Sequence, residues 1–254
     1  MTWLRVVQRW SVVSAAAVLL AGSVHAGEIT VSAAVSLSDA FREIGKSFEA
    51  SHPGTTVTFN FGASGQLLQQ IVNAAPVDLF ASADLDTMDK AERQKLLAPG
   101  SRFIFAHNTL VVAVPATTLN PPAHIDELLR PEWQRIAIGN PESVPAGRYA
   151  HDALRTSRFW RELQPRFVFA QNVRQVLDYL ARGEVDAGFV YRTDAIAAPN
   201  RVRIAFSVAT TEPVVYPVAV LKDSRNPGDA GKFVEFLRTA PARGILVRHG
   251  FGHP

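Results

Sequence analysis

Short β-branched runs alternate with amphipathic stretches along most of this 254-residue chain, and that alternation constrains its fold more than any other feature. Glu28–Ala34 (EITVSAA) reads as a strand. Ser36–Ser51 follows as a helix, because Leu37, Phe41, Ile44 and Phe48 recur on one face of a 3.6-residue period. Strands at 56–61 and 77–82 are each followed by a helical pattern, at 64–73 and 87–97. Beyond a nearly continuous apolar strand at 108–115, a second set of strands is predicted at 135–138, 166–170, 186–191 and 201–206. Helices near 146–156 and 173–182 lie among them. A long apolar strand at 214–220 and helices at 228–237 and 241–249 complete the chain. Strands interleaved with helices predict the α/β class, with parallel sheet and helical crossovers.

The first 26 residues do not share this pattern. Arg5 and Arg9 precede a core of apolar and small residues from Ser11 to Ser23, and Val24-His25-Ala26 offers small residues before Gly27. That is the arrangement of a secretory signal peptide cleaved after Ala26, and its core falls short of the ~20 residues of a membrane span. Export is therefore expected, with 228 residues remaining, enough for two lobes of about 100 residues each. With Arg5 and Arg9 gone, 24 cationic side chains face 23 acidic ones, a net charge of +1. There is no basic stripe with interleaved aromatics, so a nucleic-acid partner is not expected. The chain has no Cys, which excludes disulfides, thiolate metal sites and a cysteine nucleophile.

Candidate chemistry stands at the starts of helices, where unpaired N–H groups and a partial positive charge can hold an anion. Ser36 follows a strand with Asp39 three residues on, the spacing of a capping box. Ser64 lies between Ala63 and Gly65 at another strand-to-helix turn. Pro145 suits the first turn of a helix that would carry Ala146, and Asn172 suits the cap before Val173. Each of these also fits an ordinary helix cap, and local spacing does not bring the four ends together.

Eight segments carry a further resemblance: AAVSLSDAF (33–41), FGASGQLLQQI (61–71), APVDLFASAD (75–84), NTLVVAVP (108–115), GNPESVPAGRYA (139–150), NVRQVLDYL (172–180), GFVYRTDA (188–195) and VVYPVAVL (214–221). Together, and in this order, they resemble the molybdate-binding proteins of bacterial ABC importers. The resemblance implies a two-lobed periplasmic binding protein fold of type II with the ligand in the cleft. Lobe one would comprise 27–107 plus 217–254, and lobe two 108–216. It also implies a ligand set: Ser36 and Ser64 through hydroxyl and backbone N–H, Ala146 and Val173 through backbone N–H, and Tyr191 through its phenol. Molybdate or tungstate would be held through its oxygens, with no direct metal ligands, no cofactor and no catalysis. A monomer serving a permease with a cytoplasmic ATPase is the implied assembly.

Other readings stay open on the residues alone. The same fold could take sulfate or another oxyanion. Gly62-Ala63-Ser64-Gly65-Gln66 approaches a serine hydrolase elbow but has Gln66 where that motif needs Gly. His107, His124 and His151 have no motif partner, and Asp84, Asp86 and Asp89 are expected as the solvated start of a helix rather than a metal site.

Overall fold

The computed structural model describes residues 27–253, so the expected signal segment at 1–26 lies outside the described residues. The chain opens with β1 (Gly27–Ala34), α1 (Ser38–Ser51), β2 (Thr55–Gly62), α2 (Ser64–Val72), β3 (Leu79–Ala81), α3 (Leu85–Arg93) and β4 (Phe103–Asn108). It continues through β5 (Leu110–Pro115), β6 (Ile136–Gly139), α4 (Pro145–Thr156), the single turn α5 (Trp160–Leu163), β7 (Phe167–Ala170), α6 (Val173–Ala181), β8 (Ala187–Tyr191), α7 (Arg192–Ile196) and β9 (Val202–Ser207). Strand β10 (Val214–Val220) and helices α8 (Pro227–Leu237) and α9 (Ala240–Arg248) follow.

These strands form two five-stranded sheets, ordered β2-β1-β3-β10-β4 and β7-β6-β8-β5-β9. The expected parallel pairing holds for β1 with β2 and β3, and for β6 with β7 and β8. It does not hold throughout. Strand β10 runs antiparallel to β3 and β4, and β5 runs antiparallel to β8 and β9. Both exceptions are strands that enter a sheet from the other lobe, so no helical crossover sets their direction.

Sheet membership also moves the boundaries between lobes. The chain crosses at Thr109 and again within 208–213. Asn108 and Val214–Tyr216, expected in lobe two, lie in the first sheet because their backbones pair with each other: Val214 opposite Asn108 and Val215 opposite His107. The unbroken apolar run hid the division between β4 and β5, and β4 itself was not anticipated. Both sheets bury their strands on two faces. Every residue of β10 is buried, as is all of β5 but Pro115, which explains why these strands read as continuous apolar runs.

In each sheet the three parallel strands point their C-terminal ends at the cleft. The turns after them begin helices, so several helix N-termini face one space, the usual place for a ligand in an α/β sheet.

Candidate functional site

Ser36 sits in a 3₁₀ turn, Val35–Leu37, that follows β1, and α1 begins only at Ser38. The expected capping box does not form: neither helical start has a side-chain cap hydrogen bond. Asp39 instead reaches Arg174 of α6 at 2.8 Å. The Ser36 hydroxyl lies 3.0 Å from the Tyr216 hydroxyl of β10. Ser64 is the first residue of α2, capped by Ala63 without a side-chain bond. Its Oγ accepts the Ala83 N–H at 3.1 Å.

Lobe two supplies backbone. Pro145 occupies the first turn of α4 as expected, and Ala146 follows it. Gly147 permits this start to press on β6, since a Cβ there would lie 2.0 Å from the Gly139 carbonyl oxygen. Val173 begins α6 behind Asn172, whose side chain accepts the Gln175 N–H as the expected cap. First-turn N–H groups have no acceptor within their own helix, so those of Ala146 and Val173 can donate outward. Tyr191 ends β8, with its hydroxyl 3.5 Å from the Ala83 carbonyl oxygen, long for an O–H···O bond. Burial holds the Tyr191 phenol well above its usual pKa, so it remains a neutral donor.

The structure brings all five residues to one small cavity, lined also by Gly62, Ala63 and Ala83. Ser36, Ser64, Ala146, Val173 and Tyr191 are each no more than 3% exposed. Among the described residues, none with a charged side chain lines this cavity.

Charges stand just outside it and join the lobes. Arg148 of α4 pairs with Asp84 and donates to the Thr87 hydroxyl at 2.7 Å. Asp84 was expected to be solvated; it is buried because it both caps α3 and meets this cation. Asp89 follows the expectation of surface and pairs with Arg102 at 2.6 Å. Arg174 bridges Asp39 in lobe one and Asp194 in lobe two, each at 2.8 Å. Burial opposes the Arg174 charge, but Asp194 and Asp39 beside it hold its pKa above the ordinary value. Burial pushes Asp194 up to about 6 despite that cationic partner and the Tyr191 N–H that donates to its carboxylate. The backbones also meet: the Gly65 N–H donates to the Ser143 carbonyl oxygen at 3.0 Å.

The sequence reading did not single out Arg148, Arg174, Asn108 or Tyr216 as functional residues. Only Tyr216 left a signal, a hydroxyl in the otherwise apolar strand VVYPVAV. His151 has an ordinary surface role: its ring lies edge-on to Trp160 and 2.9 Å from the adjacent Asp152 carboxylate.

Two mixed sheets joined by crossing strands, each with the entering strand fourth in order, are the type II periplasmic binding protein fold. The chain belongs to the bacterial extracellular solute-binding protein family, whose model matches residues 29–252. It is 36% identical to the molybdate-binding protein ModA of Escherichia coli over 89% of each chain. It is also 36% identical to a Bacillus subtilis protein provisionally named an ABC transporter substrate-binding lipoprotein, YvgL, over 88% of this chain and 85% of that one. Among solved structures, the periplasmic molybdate-binding protein of Azotobacter vinelandii superposes with a TM-score of 0.80 at 28% identity, covering 89% of this chain and 99% of the other.

Proposed function

We propose that this chain captures molybdate, and tungstate with it, and delivers the anion to an ABC importer. One observation carries the reading: five residues able to donate hydrogen bonds line a single uncharged cavity between the lobes. Molybdate, tungstate and sulfate are fully deprotonated near neutral pH and accept at every oxygen. A site of donors alone matches them. Hydrogen phosphate carries a proton that needs an acceptor, and no carboxylate is among the lining residues. Burying a dianion is costly, but each hydrogen bond to a charged group returns roughly 1.5–3 kcal/mol. Hydroxyls and helix N-termini can therefore hold the ligand without a cation in contact with it. No protein atom needs to bind the metal directly and no cofactor is required.

The E. coli and A. vinelandii relatives, named as molybdate-binding proteins, support this ligand. Membership of an extracellular solute-binding family supports the remaining assignments. These are export through residues 1–26 with cleavage after Ala26, a periplasmic monomer, no catalysis, and docking onto a membrane permease with a cytoplasmic ATPase. A thermal-shift panel tests the ligand, because binding to the native state raises stability by mass action. Stabilisation by molybdate and tungstate but not by phosphate is expected. Stabilisation by sulfate alone would reassign the ligand, and no response to any oxyanion would overturn the reading.

A further inference from the structure

Behind Ser36 lies a chain of hydrogen bonds whose direction is set at its far end. The Asn108 Oδ1 accepts the Thr109 backbone N–H at 2.9 Å, which fixes the orientation of the amide. The Asn108 Nδ2 must therefore be the donor in its contacts with the Thr193 hydroxyl at 2.9 Å and the Tyr216 hydroxyl at 3.1 Å. The Tyr216 oxygen is thus an acceptor toward Asn108. Among the described residues its own hydrogen has one acceptor within reach, the Ser36 Oγ at 3.0 Å. Tyr216 is fully buried, so leaving that hydrogen unpaired would be costly. Burial also raises the pKa of this phenol, which keeps the proton in place. With Tyr216 donating to one of its lone pairs, the Ser36 hydroxyl has its hydrogen free for the cavity. Ser64 is treated alike from lobe one, since the Ala83 N–H donates to its oxygen.

We propose that Asn108 and Tyr216 are positioning residues that hold Ser36 as a hydrogen-bond donor toward the cavity, and so select for oxyanions that carry no proton. This rests on the oxyanion-binding reading of the cavity. A serine whose hydrogen was spent on Tyr216 would turn only lone pairs toward the cavity and would accept the proton of hydrogen phosphate. The relay keeps that hydrogen for the ligand. Its members come from both crossing points, Asn108 at the end of β4 and Tyr216 near the start of β10.

The test is a double-mutant cycle read by calorimetric titration of molybdate, with a phosphate competition at a pH where phosphate is mainly the monohydrogen dianion. Tyr216→Phe is expected to weaken molybdate binding roughly three- to tenfold, the effect of one ordinary hydrogen bond. In a Ser36→Ala background the same change is expected to have less than about a twofold effect, because the residue through which it acts is gone. Asn108→Asp serves as a second variant, in which the carboxylate accepts from Tyr216 and turns a Ser36 lone pair toward the cavity. The added charge acts on both dianions alike, so the molybdate-to-phosphate affinity ratio is expected to fall. Additive losses in the cycle together with an unchanged ratio would overturn the relay. If the wild-type protein binds no oxyanion, it is the ligand reading that fails.

Discussion

The two lobes repeat one sheet arrangement, with an entering strand fourth in order and antiparallel to both its neighbours. Yet they contribute different donors. Lobe one offers the hydroxyls of Ser36 and Ser64, each with its oxygen already engaged from behind. Lobe two offers the backbone at Ala146 and Val173 together with the Tyr191 phenol. A backbone N–H is held by its helix and survives side-chain replacement, whereas a hydroxyl is lost with one atom and must be aimed. If the cavity holds an oxyanion as proposed, side-chain substitution should act mainly through the hydroxyls of Ser36, Ser64 and Tyr191 and little at Ala146 and Val173.

The sharpest break between the lobes comes from substitution. Ser36→Ala and Ser64→Ala are each expected to weaken molybdate binding roughly tenfold or more, and the pair roughly a hundredfold, from about 1.5–3 kcal/mol per lost donor. Val173→Ala in lobe two is expected to change affinity less than about threefold. Calorimetry on the four proteins checks this. An equal loss in Val173→Ala would erase the contrast.

Next is the meeting of the lobes. A Cβ on Gly65 would lie 2.7 Å from the Ser143 carbonyl oxygen across the cleft. Gly65→Ala is expected to weaken binding about tenfold through ~1–3 kcal/mol of overpacking that arises only when the lobes meet. The melting temperature without ligand should stay close to wild type.

Smaller is a pH effect confined to lobe two. Asp194 has its folded pKa raised from 3.8 to about 6. The native state thus binds this proton more tightly than the unfolded chain. The contribution is fully present below about pH 4 and is lost as pH rises through about 6. Melting curves across that window should show wild-type stability falling relative to Asp194→Asn with rising pH. Parallel curves would contradict the assignment.

The smallest effect is expected at the partly exposed pair of Asp39 and Arg174. Asp39→Asn should weaken binding by less than about fivefold, from ~0.2–1 kcal/mol, and by less still at high salt. Affinity measured at two salt concentrations checks it.

Much of the scaffold was legible because burial on both faces writes itself as apolar runs, as in β5 and β10, and because one-sided helices such as α1 keep a periodic stripe. The donors at Ser36, Ser64, Ala146, Val173 and Tyr191 were placed by resemblance to a family, since their local signals are those of ordinary caps. The cavity where they meet depends on strand order, which spacing does not encode. The misreadings share a cause. Local patterns point Asp39 to a cap and Asp84 to solvent because they presuppose local partners, whereas both carboxylates pair with arginines from the other lobe. The strand boundary at Thr109 was invisible because the backbone changes sheets there without a break in hydropathy.

One uncharged cavity between the lobes is proposed to hold the oxyanion through donors alone. Anomalous diffraction from crystals grown with tungstate tests it directly, because the tungsten atom reports its own position. A strong peak is expected inside the cavity, with oxygens in hydrogen-bond reach of Ser36, Ser64, Ala146, Val173 and Tyr191. A peak held instead by Arg148 or Arg174 at the cleft margin would contradict it.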